Sequence, residues 1–398
     1  MGATAPRLTY CSNVHPAADL SQQLAALREH VRPIASAAAG AGRGFGLGGW
    51  WPARLVDTLY TDDGAREELA AALDRCAAPL WTLNVFPLGD FHQAVVKASV
   101  YAPDWGEEER LRYTIRCAEV GAALMKPGDV LPMSTLPLGY RGPADAPADR
   151  QLMARNLARA AAALAEVEDR TGVRCVLALE PEPNCLLETA AEAGDFLEQR
   201  VLDAKTEAAV PHETLRRHLG VCVDLCHLAV VGEDPLDALA GLRRRGVAVP
   251  KIQVSSCLEV RDPAGLDELL TFEEPRYLHQ TKAASGARAL DLDEVRARQG
   301  EFRAGGRVRT HYHVPLDWDR AGAFGSTQAE VRRVLQALAA SPDEAPLLEV
   351  ETYTWSVLGD AFGDAPLHAR IQRELDWVAG FWKNGAPAPT VRIPGCND

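Results

Sequence analysis

Short apolar runs alternate with longer stretches in which apolar residues recur every three or four positions, and this alternation is the strongest constraint on the fold. The strand-like runs are residues 8–13, 45–50, 80–86, 130–135, 173–180, 220–224, 250–255, 307–313 and 346–352. The stretches predicted to be helical are 19–34, 66–77, 107–124, 150–170, 189–201, 235–245, 326–340 and 366–381. Strands that are apolar throughout are typical of a sheet covered on both faces. Their alternation with helices predicts an α/β fold with a parallel sheet.

Eight such repeats would close a (β/α)8 TIM barrel, but nine runs look like strands. Either the run 307–313 is an extra strand inside a long insertion, or one of the weaker strand assignments is wrong. We favour the insertion, because residues 256–325 contain no single long helix. The sequence therefore predicts one TIM barrel over residues 1–383, with an insertion at about 256–325 after the seventh strand. A flexible tail rich in proline and glycine is expected at 384–398.

Composition narrows the possible functions. The chain carries 42 Lys and Arg against 55 Asp and Glu, a net charge of −13, which argues against broad electrostatic binding of nucleic acid. No apolar run approaches the ~20 residues that span a bilayer, and the first six residues lack the features of a signal peptide. Nine cysteines without a CxxC pair predict buried free thiols in a reducing compartment. We therefore expect a cytoplasmic protein without membrane insertion.

Acidic and polar side chains stand where several predicted strands end. Glu180 ends the fifth strand, Asp224 ends the sixth with His227 three residues later, Gln253 lies in the seventh and Glu351 ends the eighth. In a parallel barrel these ends converge on one face, where active sites are built. Buried carboxylates need a cation or protons, so the pattern predicts a divalent metal ion (Mn, Fe, Co, Zn or Mg) and no nucleotide cofactor.

Two histidines in the predicted insertion share one face of a strand. His311 and His313 are two residues apart, which places both imidazoles on the same side. They are candidate metal ligands or proton shuttles, unless the strand lies on the surface and faces water. Glu349 and Glu351 also share a face, and the second is nearer the strand end. We therefore expect Glu351 to be the ligand and Glu349 to support it.

Further polar and aromatic residues follow the strands and are suited to a sugar-like or polyol ligand, through ring stacking and hydrogen bonds. The candidate substrate-binding residues are Tyr10, Trp50, Asn84, His92, Lys97, Tyr140 and Glu182. The alternative for the tryptophans Trp50 and Trp51 is packing between barrel and helices.

The segment GVCVDLCHLAV resembles the Cys-hydrophobic-Asp-x-Cys-His segment of the xylose-isomerase-like TIM barrel superfamily, which includes sugar epimerases and type-IV apurinic endonucleases. The resemblance implies a metal set of Glu180, Asp224, Gln253 and Glu351, with His227, His311 and His313 beside it. His92 matches the strand-three histidine of the endonuclease branch. The chain departs from the pattern at Gln253, where many members have histidine, and at His311-Tyr312-His313, where the endonucleases have Asp-x-His.

The chain more closely resembles the EboE-type metabolite traffic proteins over roughly residues 8–383. The matching stretches are LTYCSNVHP, FPLGDFH, STLPLGY, LALEPEPNC, VDLCH, HYHVPL and LEVETYTW. That family has the same superfamily fold and is encoded beside sugar-phosphate-cyclase-like and prenyltransferase-like enzymes. The resemblance implies a role in a small-molecule biosynthetic pathway.

Three functions remain open from the sequence. The first is a metal-dependent isomerase or epimerase of a sugar or cyclitol, in which Glu180 and Glu351 exchange a proton and His227, His311 or His313 steadies the developing oxyanion. The second is a metal-dependent hydrolase or lyase of a phosphorylated metabolite. The third is a protein that binds a metabolite without turnover. The expected partner is a small polyol, not nucleic acid, and a homodimer is possible.

Overall fold

The computed structural model describes residues 6–141, 149–202, 210–321, 323–341, 345–358 and 365–382. The predicted tail 384–398 lies outside these residues. The strands are β1 Leu8–Tyr10, β2 Leu47–Trp50, β3 Leu80–Asn84, β4 Val130–Thr135, β5 Arg174–Leu179, β6 Leu219–Val221, β7 Val223–Asp224, β8 Lys251–Val254, β9 Cys257–Val260, β10 Thr281–Ala283, β11 Arg288–Ala289, β12 Val308–His313, β13 Arg320–Ala321, β14 Phe324–Ser326 and β15 Leu347–Val350.

A closed ring of parallel strands forms the barrel. Strands β2 to β6 pair in sequence order, and β7, β8, β15 and β1 pair in that order. The sixth barrel strand consists of β6 and β7, interrupted at Cys222, and a parallel bridge between Cys11 and Gly48 joins β1 to β2. The predicted (β/α)8 barrel is confirmed.

The predicted insertion forms its own antiparallel sheet between the seventh and eighth barrel strands. Its strand order is β11-β10-β12-β9-β14-β13. Strand β12 is the extra strand that the sequence analysis assigned to the insertion, and it pairs antiparallel with both β9 and β10. A register shift between Thr310 and His313 interrupts the pairing with β9. The shift occurs where the strand carries its two histidines.

Helices surround the barrel and support the insertion. They are α1 Leu20–Ala26, α2 Arg32–Gly40, α3 Ala53–Thr61, α4 Asp63–Cys76, α5 Glu108–Ala123, α6 Arg150–Thr171, α7 Ala190–Phe196, α8 His212–His218, α9 Leu225–Val231, α10 Pro235–Arg244, α11 Leu266–Leu269, α12 Leu292–Ala297, α13 Gln299–Ala304, α14 Gln328–Ala340 and α15 Leu367–Ala379. Within the described ranges, none of these helices is long and apolar enough to cross a membrane.

Side-chain caps fix several helix starts. Asp149 accepts a hydrogen bond from Leu152 N at the start of α6, and Thr189 and Glu192 form a capping box at the start of α7. Asp224 caps α9 by accepting a hydrogen bond from His227 N. This cap fixes the turn between the sixth barrel strand and α9, so it also sets where the Asp224 carboxylate and the His227 ring lie.

Candidate metal centre

Three carboxylates meet at the carboxyl end of the barrel. Glu180 follows β5, Asp224 ends β7 and Glu351 follows β15, so the parallel strands deliver all three side chains to the same end. One oxygen of each lies within 4.8 Å of the others. All three are at most 5% exposed. Three buried carboxylates at this separation repel one another, so the group is suited to hold a cation.

Several polar atoms around this group have no partner within the protein. Gln253 stands beside Asp224 in the pairing of β7 and β8, and it is fully buried. Neither its Oε1 nor its Nε2 has a hydrogen-bond partner, and the same is true of Glu180 Oε2 and Asp224 Oδ2. Buried polar atoms are nearly always satisfied, so four orphaned atoms in one place indicate a bound group. Oxygen donors of this kind fit a divalent metal ion.

Neighbouring residues orient the carboxylates. Ser255 Oγ donates to Asp224 Oδ1 over 2.9 Å, and His227 N donates to the same oxygen over 2.7 Å. Both bonds engage Oδ1 and leave Oδ2 for a ligand. At Glu351, the amides of Asn13 and Asn84 both donate to Oε1, over 2.8 and 3.2 Å. Such supporting bonds hold metal ligands in position.

Burial and mutual repulsion raise the pKa values of the acidic group. Burial, with the nearby Glu351 and Asp224 carboxylates, raises the pKa of Glu180 well above its usual range. Burial, followed by the charges of Asp224 and Glu349, raises the pKa of Glu351 to about 8. A divalent cation would reverse this effect, because it stabilises the ionised forms.

A buried ion pair lies beneath the carboxylates. Lys251 Nζ is 2.5 Å from Glu349 Oε2 and 3.3 Å from Ser134 Oγ, and neither member of the pair is exposed. Burial alone would lower the pKa of Lys251, but the charge of Glu349 together with those of neighbouring groups, Glu180 among them, outweighs it and raises the pKa, so the ammonium stays charged. A Cβ at position 48 would overlap Glu349 Oε1, and Gly48 therefore leaves the space that this carboxylate fills.

Three imidazoles border the carboxylates and present their Nε2 atoms. His227 Nδ1 lies 2.9 Å from Pro181 O, and His313 Nδ1 lies 2.6 Å from Glu351 O. A carbonyl oxygen only accepts, so Nδ1 donates in both rings and Nε2 carries the lone pair when the ring is neutral. Burial lowers the pKa of His313 to about 4 and, with the neighbouring rings, that of His311 to well below its usual range.

The His311 ring is held by a chain of polar contacts. His311 Nδ1 donates to Gln280 Oε1 over 2.8 Å, and Gln280 Nε2 donates to Tyr101 Oη over 2.8 Å. Tyr101 Oη donates in turn to Glu182 Oε1 over 2.6 Å. In neutral His311, Nε2 therefore also carries a lone pair, and it lies 3.0 Å from Nε2 of His227. Two lone pairs at this distance require a shared proton or a cation between them.

This geometry bears on the expected role of His227. From the sequence, His227, His311 or His313 was expected to stabilise a developing oxyanion, a role that requires a hydrogen-bond donor. Because Nδ1 donates to Pro181 O, the neutral ring offers only an acceptor at Nε2. In this structure His227 is placed as a ligand or proton acceptor, and it donates from Nε2 only when the ring is protonated.

The structure brings together only part of the predicted substrate-binding set. Asn84, Lys97 and Glu182 line the cavity above the carboxylates. The other predicted residues lie outside the lining and are engaged elsewhere. Tyr10 contacts His15, and the Trp50 indole donates to Pro87 O. His92 donates to Asn13 O, and Tyr140 stacks on Tyr101. Trp50 is fully buried, which matches the alternative of core packing. His92 contacts two residues of the lining, Asn13 through this hydrogen bond to its O atom and Phe91 through its ring.

Sequence reasoning missed residues whose roles depend on contacts between distant loops. Tyr101, Tyr277 and Tyr353 line the cavity, and Ser255 and Lys251 support the carboxylates. Lys251 and Gln253 are two residues apart on β8 and so share one strand face, a signal that could have placed Lys251 inside the barrel. The three tyrosines follow no comparable pattern.

Glu374 on α15 ties the segments beside the site together. Its Oε1 accepts from Leu316 N over 3.0 Å and Thr352 Oγ1 over 2.7 Å, and its Oε2 accepts from Trp355 Nε1 over 3.0 Å. Thr352 directly follows Glu351. The fully buried Glu374 therefore fixes the segment after β15 against the segment after β12.

The titration of Glu374 gives a testable pH dependence. Burial raises its pKa from 4.5 to about 7, so its contribution to stability is complete below about pH 4.5 and is lost as the pH rises through about 7. We expect the unfolding free energy of the wild type, minus that of Glu374→Gln, to fall by up to about 3 kcal/mol from pH 5 to pH 8, since one pKa unit is about 1.4 kcal/mol. Urea unfolding at several pH values measures this difference. A pH-independent difference would contradict the assignment.

Comparison with known proteins gives the fold. No protein-family model matches the chain, and no curated protein sequence matches it. Among solved structures, a xylose isomerase-like TIM barrel protein from Mycobacterium smegmatis in complex with magnesium matches with a TM-score of 0.53 and 12% identity, over 96% of this chain and 98% of that one. The chain therefore has a xylose isomerase-like TIM-barrel fold.

Two other solved structures match at lower scores. One is an L-ribulose 3-epimerase, with 11% identity, coverage of 96% of each chain and a TM-score of 0.45. The other is an IOLI protein with a bound zinc atom, with 11% identity, coverage of 94% of this chain and 97% of that one, and a TM-score of 0.46.

Proposed function

We propose that this protein is a divalent-metal-dependent isomerase or epimerase of a sugar-like or cyclitol-like polyol. One observation carries the proposal: three buried carboxylates lie within 4.8 Å of one another beside orphaned oxygens of Glu180, Asp224 and Gln253. A fold alone does not define a reaction, so the argument rests on this group of residues. The magnesium in the M. smegmatis structure is consistent with it.

The metal would be held by Glu180, Asp224, Glu351 and the Oε1 atom of Gln253. When bound, it would polarise a substrate carbonyl or hydroxyl and stabilise negative charge that develops there. Ser255 keeps Oδ2 of Asp224 available by occupying Oδ1 together with His227 N. Gln253 is neutral, so this ligand set carries at most three negative charges.

Glu180 and Glu351 are the candidate proton-transfer pair. They come from β5 and β15, which are not neighbours in the ring, and both line the cavity. A substrate carbon between them would present opposite faces to the two carboxyl groups, with one as base and the other as acid. Asn13 and Asn84 fix one oxygen of Glu351, so that side chain is held in place before substrate binds.

We also propose that the protein is related to the EboE-type metabolite traffic proteins. The motifs quoted above support it, and a small-molecule biosynthetic pathway in the cytoplasm would fit a polyol epimerase. A homodimer remains part of this proposal.

A second candidate function follows from the imidazoles. The opposed Nε2 atoms of His227 and His311, with the unpartnered Nε2 of His313 nearby, favour a second cation. Two metal ions would support a hydrolase or lyase, for which they would supply an activated water molecule. The two functions differ in stoichiometry: an epimerase needs one ion per chain, and the hydrolase needs a second that is lost in His311→Ala.

Proton exchange with solvent tests the epimerase. We expect protein loaded with Mn²⁺ to catalyse the exchange of a hydrogen next to the carbonyl for deuterium from heavy water in at least one ketone. The compounds to be tested are D-fructose, D-ribulose and an inosose, and mass spectrometry measures their deuterium content. Glu351→Gln should slow this exchange at least 100-fold, because general acid–base groups contribute about that much. Glu68→Gln, an exposed carboxylate on α4, serves as control. Equal exchange in Glu351→Gln, or none with any ketone, would contradict the proposal.

A further inference from the structure

The cavity over the metal centre has two chemically distinct sides. Its enclosed volume is about 70 Å³, and it opens to solvent. The polar part of the lining, named here the floor, consists of the carboxylates of Glu180, Glu182 and Glu351, the amides of Asn13 and Asn84, and the rings of His227 and His311. The remaining wall is mostly apolar or aromatic. The residues of this second set, named here the apolar wall, are Phe86, Phe91, Val100, Tyr277, Leu278 and Tyr353.

The apolar wall is built from three separate segments that pack together. Phe91 lies after β3, Tyr277 lies in the insertion and Tyr353 follows β15. Their ring centroids are 4.9 to 5.4 Å apart in each pairing, so each ring contacts the other two. Rings fixed in this way present a preformed surface, and an apolar group bound there would lose water without ordering the wall.

Basic side chains on the cavity lining are already engaged. Lys97 is the one Lys or Arg that lines the cavity among the described residues. Its Nζ donates to Glu274 O and Tyr277 O, over 2.9 and 2.8 Å, and to Asp291 Oδ2 over 2.5 Å. The Lys97 ammonium has three N–H groups, and these three acceptors occupy all of them, so none is left to donate to a substrate. Lys97 therefore fastens the loop after β3 to the insertion and offers no site for a phosphate.

We propose that the substrate is an uncharged molecule with a hydroxylated carbonyl end at the carboxylates and an apolar substituent against the apolar wall. This inference rests on the proposed function and adds the substrate class. A phosphorylated substrate would bring two negative charges beside three carboxylates and find no free Lys or Arg side chain on the described lining. An apolar substituent would instead exchange water for a fixed aromatic surface.

Three ketoses that differ only at carbon 6 test the substrate class. Isothermal titration of Mn²⁺-loaded protein would compare D-fructose, 6-O-benzyl-D-fructose and D-fructose 6-phosphate. We expect the benzyl ether to bind at least tenfold more tightly than D-fructose, and the phosphate no more tightly than D-fructose. Equal affinity of the ether and the parent sugar would overturn the proposal, as would tightest binding by the phosphate.

A pair of variants assigns the gain to the apolar wall. Val100→Asp places a charge on a half-buried position of the wall and should remove the advantage of the benzyl ether. Val95→Asp, on the same loop but 58% exposed, should keep it. Retention of the advantage in Val100→Asp would overturn the assignment. Failure of all three ketoses to bind would also overturn it, whereas the metal content of the same sample reports separately on the proposed function.

Discussion

Replacing Lys251 with Met is expected to lower the free energy of unfolding by about 3–5 kcal/mol. The substitution leaves the Glu349 carboxyl without its partner at a position with no exposure, and removing one partner of a buried ion pair costs about this much. Urea unfolding followed by circular dichroism measures the loss. Ser134 would also lose its contact with the ammonium, which adds a smaller penalty.

A matched double variant separates charge from packing. In Lys251→Met/Glu349→Gln, no charge remains in the pair, so most of the lost stability should return. A loss of less than about 1 kcal/mol in the single variant, or a double variant no more stable than the single one, would contradict a stabilising charge interaction between Lys251 and Glu349.

Asp224→Asn is expected to reduce metal affinity at least 100-fold. Asp224 supplies a free Oδ2 next to Glu180 and Glu351, and the amide would replace a negative ligand with a neutral one in the same space. Titration with Mn²⁺ after removal of metal by a chelator measures the affinity. Ser255→Ala, which removes the bond that orients Oδ1 and the bond that Ser255 Oγ accepts from Cys226 N, should weaken binding about 10–100-fold.

The control for this series is Asp57→Asn, an exposed carboxylate on α3 that pairs with Arg116. It should bind metal as the wild type does. An unchanged affinity in Asp224→Asn would mean that the cation is held elsewhere. Equal losses in Asp224→Asn and Asp57→Asn would show that the effect comes from overall charge and not from the site.

The barrel could be predicted from the sequence because its strands are buried on both faces. All nine predicted strands are present, including β12 in the insertion. Short apolar runs form them, as is typical of strands that are covered on both faces. The break between β6 and β7 and the presence of α9 were not predicted. All seven residues of α9 are buried, so its sequence lacks the apolar periodicity that marks a helix at the surface. The short helices α3 and α8 were also missed.

The candidate ligands could be predicted because strand parity and strand ends determine where they point. Asp224 and Glu351 needed only the knowledge that parallel strands end on one face. The apolar wall and the support given by Ser255 and Tyr101 could not be predicted in this way. They depend on loops from distant parts of the chain, such as the insertion, whose packing follows no local pattern.

The most direct test of the central claim is the metal content of protein purified without added metal or chelator, measured by elemental analysis. We expect about one Mn, Fe, Co, Zn or Mg ion per chain in the wild type and less than about a tenth of that in Asp224→Asn. Absence of metal from the wild type, even after incubation with Mn²⁺, would contradict a metal centre at Asp224 and favour metabolite binding without turnover.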